Sequence, residues 1–230
     1  MTRNQLSLGL ALPVSWGRDD FLVADGNAAA LAWLDRWPDW PNHTLVLHGA
    51  PGSGKTHLAH IWTAQVLTTQ GSARLAGPEE VTPAAIDDLA RQPLAVDDAD
   101  RIADPAALFH LVNLMRERGF ALLLTGSTPP AQWPFTLPDL MSRLKAMQVE
   151  GIAAPDDALL AAVLVKLFAD RQLAVGEDVV KYLVPRIERS FHAARHWVAE
   201  LDAAALAENR AVTTVLARRL LDRQGGAGQG

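Results

Sequence analysis

The stretch Gly49-Ala50-Pro51-Gly52-Ser53-Gly54-Lys55-Thr56 sets glycines, a lysine and a hydroxyl at the spacing G-x-x-x-x-G-K-T. Those residue types suit phosphate. Glycines let the chain curl until successive N–H groups point at one anion. The lysine then reaches the β- and γ-phosphates, and the threonine hydroxyl ligates Mg²⁺. The candidate nucleotide contacts are therefore Gly49, Ala50, Pro51, Gly52, Ser53, Gly54, Lys55, Thr56 and His57, with ATP or ADP and Mg²⁺ as the cofactors. A second group, Asp97-Asp98-Ala99-Asp100, closes an apolar run. Asp97 at the end of a buried strand joins Thr56 as a candidate Mg²⁺ ligand, acting through the ion's water shell. Asp98 is then the catalytic candidate, placed to orient or deprotonate an attacking water. Many ATPases carry Glu at this second place. Asp is one methylene shorter, which predicts slow intrinsic hydrolysis. A third run, "LLLTGS", ends in small polar residues. Thr125 or Ser127 there is positioned to sense a γ-phosphate, and Ser127 joins the candidate contacts.

These groups need elements to carry them. "TLVLHG" (44–49), "SARLAG", "LAVDD" and "FALLLTGS" read as strands, the first ending where the glycine loop begins. "NAAALAWLDRW" (27–37) and "KTHLAHIWTAQVLTTQG" (55–71) read as helices, the second closed by glycine. "PAAIDDLA" and "PAALFHLVNLMRERG" are further helical stretches. Strands alternating with helices predict a parallel sheet covered on both faces. From 156 onward the pattern becomes helical only, over 156–171, 177–189, 192–208 and 213–223. The expected fold is an α/β, three-layer P-loop domain followed by a small all-helical lid. The expected divisions are an arm over 1–20, the α/β domain over 21–154, the lid over 155–223 and a flexible tail over 224–230. Trp33, Trp37, Trp40 and Trp62 are expected to cluster and anchor the amino-terminal region.

The totals exclude several classes. The 230 residues are 49% hydrophobic and 20% charged, with a net charge of −5 and no cysteine. Disulfide frameworks and thiolate metal sites are thereby ruled out. A nucleic-acid binder usually carries a basic excess. No apolar run reaches transmembrane length, and no signal-peptide pattern opens the chain. The expectation is a cytoplasmic protein without a membrane role.

Taken in order, "FLVADGNAAALAWL", "GAPGSGKTHLAH", "AVDDAD", "LLLTGS", "LPDLMSRL" and "HAARHWVAELD" resemble the AAA+ ATPases of the DnaA clade, and within it the Hda group of regulators. The resemblance implies that Phe21, Leu22 and Val23 frame the adenine. It places Arg143 at the arginine-finger position, which in this family reaches a neighbouring subunit's ATP; a homo-oligomer is left open as a further partner. Arg195 falls on the second sensor position, on a lid helix facing the phosphates. The amino-terminal "QLSLGL" matches the group's Q-L-x-L-x-L motif for the DNA polymerase β sliding clamp, through Gln5, Leu6, Leu8 and Leu10. A flexible apolar segment suits such docking, provided its contacts exceed the ordering cost. DnaA carries a further DNA-binding domain, whereas this sequence ends after the lid, so DNA contact is expected to be indirect. The function implied is regulation of replication initiation by stimulating ATP hydrolysis in DnaA, with at most a weak ATPase of its own. A helicase-loader-type adaptor and an autonomous P-loop ATPase are the alternatives.

Overall fold

In the computed structural model, which describes residues 16–227, the apolar run Thr44–His48 forms β1, an interior strand of a five-stranded sheet. The others are β2 (Arg74–Ala76), β3 (Leu94–Val96), β4 (Leu122–Gly126) and β5 (Gln148–Gly151), in the order β2-β3-β4-β1-β5. All pairings are parallel. Side-chain alternation divides the core in two. Val46, Leu94, Val96, Leu122 and Leu124 face one layer of helices, α3 (Ile86–Leu89), α4 (Pro105–Arg118) and α5 (Pro138–Lys145). Leu45, Leu47, Ala95 and Leu123 face the other, α1 (Asp25–Asp35) and α2 (Lys55–Gln70). A strand buried on both faces has no polar alternation, which is why these runs read as continuously apolar.

Local chemistry sets the helix ends. Asp104 accepts from the Ala106 and Ala107 N–H groups at the start of α4, and Pro105 fills its first position. Gly54 (φ 104°) and Gly71 (φ 78°) bound α2 in left-handed conformations that only glycine adopts cheaply. The lid comprises α6 (Asp157–Asp170), α7 (Glu177–Leu183), α8 (Phe191–Glu208) and α9 (Thr214–Ala227). It has its own core, with Leu164, Phe168, Leu183, Trp197, Val198 and Leu201 buried together. Ser190 caps α8 by accepting from Ala193 N–H at 3.0 Å.

The structure differs from expectation at four places. β5 has no counterpart in the strands read from sequence: "QVEG" is half-buried throughout, on a sheet edge. The helix expected over 177–189 ends at Leu183, because Pro185 cannot continue it. Helix α9 runs to Ala227, into the segment expected as a flexible tail. Glycine permits that helix at a cost of about 1 kcal/mol per residue. Residues 16–20, assigned to the arm, are docked: His57 Nε2 donates to the Gly17 carbonyl, and Lys166 of the lid bonds Asp20 at 2.7 Å. The tryptophans do cluster, with Trp40 stacked on Trp62 at 5.2 Å and its indole N–H bonded to the Trp33 carbonyl.

Candidate nucleotide-binding site

The loop after β1 turns over the carboxyl edge of the sheet, where open α/β sheets place their ligands. Its glycines are required by close approach. A side chain at Gly49 would meet the Ile152 carbonyl oxygen at 2.4 Å. One at Gly52 (φ 74°) would meet Ser190 Cβ at 2.6 Å. Helix α8 thus begins directly against the loop, and Phe191 N–H donates to the Gly52 carbonyl at 2.9 Å. The Lys55 ammonium is buried and donates to the Gly49 and Ala50 carbonyls at 2.8 and 3.1 Å. Burial lowers its pKa, opposed by the carboxylates of Asp98, Asp97 and Asp100.

Loop and lid enclose a cavity of about 420 Å³, lined by Pro51, Gly52, Gly54, Lys55, Thr56 and His57 from below. Trp16 and the lid residues Glu188, Ser190, His192 and Arg195 complete it. The first-turn N–H groups of α2 open into this space without intrahelical acceptors. Gly52 and Gly54 N–H meet no acceptor among the described residues. Arg195 is half-buried and forms no ion pair among the described residues, and burial alone lowers its pKa. The Ser53 hydroxyl is buried with no hydrogen-bond partner among the described residues. Open N–H groups, an unpaired half-buried cation and a buried lysine together fit a polyphosphate.

Beside the cavity, Thr56 donates to Asp97 Oδ2 at 2.7 Å. This adjacent hydroxyl and carboxylate fit Mg²⁺, which keeps most of its waters and needs few protein ligands. β4 lies between β1 and β3, so Thr125 reaches across to Asp97. Its hydroxyl donates to Asp97 Oδ1 at 2.5 Å and accepts from Asp98 N–H at 2.9 Å. Ser127 is not in this network: its backbone N–H donates to Asp100 Oδ2, and it does not line the cavity. Of the two sensor candidates, the geometry therefore favours Thr125. Asp98 sits in a left-handed conformation (φ 49°), with Arg101 at 3.4 Å from its carboxylate.

Phe21, Leu22 and Val23 do not line the cavity. Phe21 is buried in the core beside α2, and Val23 is 56% exposed. Asn27 explains their placement, because its amide donates to the Leu22 carbonyl and its oxygen accepts from Ala24 N–H. That buried clamp fixes the segment along the start of α1. Arg143 lies exposed on α5, whose buried anchors are Leu140 and Leu144. Gln5, Leu6, Leu8 and Leu10 fall outside the described residues. Sequence reasoning missed Trp16, Glu188, Ser190 and His192 as cavity walls. The signal available for the lid residues was the S-x-x-A start of a helix next to "AARHW", which fixes what faces the loop.

Residues 157–221 match the family described as the lid domain of Hda. Domain III of the Thermotoga maritima replication initiation protein DnaA has a similar structure, with a TM-score of 0.80 at 18% identity, covering 90% of this chain and 96% of that one. AMPPCP-bound DnaA from Aquifex aeolicus gives 0.68 at 15% identity, over 83% of this chain and 66% of that one. The Thermotoga maritima RuvB Holliday junction branch migration motor gives 0.68 at 14%, over 90% and 72%. At these identities the structural likeness concerns the fold, a parallel P-loop sheet carrying a helical lid. No helix among the described residues is long and apolar enough to cross a membrane.

Proposed function

We propose that this chain, an AAA+ protein related to Hda and DnaA, is a nucleotide-binding regulator of chromosomal replication initiation. The observation that carries the reading is the Hda-type lid, residues 157–221, seated directly on a phosphate loop. In this reading ATP or ADP lies in the cavity, its phosphates held by the N–H groups of Gly52, Gly54 and Thr56, by Lys55, and by Arg195 from the lid. Thr56 and Asp97 hold Mg²⁺. Asp98 is the candidate base for any hydrolysis by the chain itself.

Arg143 acts elsewhere. Exposed on a short anchored helix, its guanidinium is available to a second molecule. We read it as the arginine finger that enters the ATP site of DnaA and promotes hydrolysis there. Such arginines stabilise charge on the transferring phosphoryl group and are worth about 10³–10⁵ in rate in well-studied GTPases. Gln5, Leu6, Leu8 and Leu10 dock the chain on the β sliding clamp, so contact with DNA is indirect.

The test is ATP hydrolysis by DnaA in the presence of DNA-loaded clamp and this protein. Arg143→Ala should abolish the stimulation while clamp binding and nucleotide binding by the variant persist. Gln5→Ala together with Leu6→Ala should lose clamp binding and stimulation. Stimulation retained by Arg143→Ala would refute the finger role. If the unaltered protein leaves DnaA-bound ATP intact but binds a replicative helicase, the loader reading replaces this one.

A further inference from the structure

We infer that Trp16, at the root of the amino-terminal arm, is a positioning residue of the nucleotide site: it holds Arg195 over the phosphate loop. This rests on the nucleotide reading above and adds a residue outside every motif that suggested it. Trp16 lines the same cavity as Lys55 and Arg195. The Arg195 guanidinium lies 5.9 Å from the centre of its ring, within reach of the π face.

The indole is itself fixed from two directions. Its ring stacks on the His60 imidazole, 4.5 Å between centres and 17° between planes. The next residue, Gly17, gives its carbonyl to His57 Nε2 at 3.0 Å, and His57 meets the indole edge-on. His57 and His60 are on α2, the helix that starts from the phosphate loop. The chain of contact therefore runs from α2, through two histidines, to Trp16, and across the cavity to Arg195 on α8.

An exposed arginine samples many rotamers and loses them when it grips an anion. Arg195 has no anionic partner among the described residues, so the aromatic face is what restrains it. A pre-ordered guanidinium binds phosphate more tightly because less freedom remains to be lost. Trp16 thereby raises affinity for di- and triphosphates without touching the phosphates. The arm root and the nucleotide site are in consequence one linked unit, and linkage is reciprocal.

The experiment titrates a fluorescent ADP analogue into the full chain and its variants. Trp16→Ala should weaken binding about three- to tenfold, the range of a partly desolvated cation–π contact. Trp16→Leu keeps apolar bulk but removes the π face, and should lose as much. Trp16→Phe should restore most of the affinity. Combining Trp16→Ala with Arg195→Ala should be no worse than Arg195→Ala alone, since Trp16 works through that side chain. Melting curves confirm that each variant is folded. Multiplying effects in the double variant, or full affinity in both Trp16→Ala and Trp16→Leu, would overturn the inference. Lys55→Ala separates the levels. If it abolishes binding while the Trp16 variants bind normally, only this inference fails. If the unaltered chain binds neither ADP nor ATP, the nucleotide reading fails and takes this inference with it.

Discussion

Replacing Thr125 by Val tests the centre of the site with almost no change of shape. Thr125 is fully buried on β4. Its hydroxyl makes two contacts, donating to Asp97 Oδ1 at 2.5 Å and accepting from Asp98 N–H at 2.9 Å. A hydrogen bond to a charged group contributes about 1.5–3 kcal/mol, and an abandoned buried donor costs about 1–3 kcal/mol. Asp97 is only half-buried and keeps its bond from Thr56, so the low ends of both ranges apply. The expected loss is about 2.5 kcal/mol. For a chain of this size each kcal/mol lowers the melting temperature by about 2–4 °C, giving a fall of about 5–10 °C. Thermal unfolding followed by circular dichroism measures it. Thr125→Ser, which keeps the hydroxyl, should restore most of the loss, and Ser127→Ala should melt close to the unaltered protein. Equal melting of Thr125→Val and the parent would refute the reasoning, as would a fall in Ser127→Ala of the same size.

Two glycines make a paired test. Gly71 and Gly52 both have positive φ, yet a side chain at Gly71 meets nothing within 4 Å, whereas one at Gly52 meets Ser190 at 2.6 Å. Gly71→Ala should cost only backbone strain, about 1–2 kcal/mol in urea unfolding. Gly52→Ala should cost more and also weaken nucleotide binding, because α8 must back away from the loop. Acidity gives another check. Burial is the largest cause lowering the His57 pKa, so the folded value lies below the unfolded one near 6.5. The unfolded chain then binds more protons, and the stability is present above about pH 6.5 and lost as pH falls through the folded value. Unfolding free energy measured from pH 7.5 to 5 should therefore decline at the acid end, and His57→Gln should decline less.

Sequence resolved the parts of this molecule that are written locally. The glycine loop is contiguous, so its chemistry is readable from eight letters. β1, β3 and β4 are buried on both faces, and continuous apolar runs announce such strands. β5 lacks that signature because it is a half-buried edge strand whose register with Leu45–His48 is set by the sheet. The choice between Thr125 and Ser127 was equally hidden. It depends on β4 lying between β1 and β3, a strand order that no local pattern states. Trp16 and Glu188 are walls of the cavity only because distant segments converge there. For Phe21, Leu22 and Val23 the expectation came from resemblance; Asn27 clamps their backbone at the start of α1, and the Phe21 ring lies against His57 beside the phosphate loop.

The loop's own bonding ties it to the lid. Lys55 has three N–H groups, and two are engaged by the Gly49 and Ala50 carbonyls. The Gly52 carbonyl is taken by Phe191 N–H of α8. With its carbonyls thus turned toward its own lysine and the lid, the loop leaves the Gly52 and Gly54 N–H groups for the cavity. The contact that sets the lid is therefore also one that shapes the anion cradle. Moving α8 releases the Gly52 carbonyl, and reshaping the loop moves the start of α8, where Ser190 caps the helix and Arg195 follows one turn later. Because Gly52 admits no side chain at this contact, the two segments have little room to slide. An anion seated on the loop is then felt at the lid through one backbone hydrogen bond and one arginine, without a long chain of intermediates.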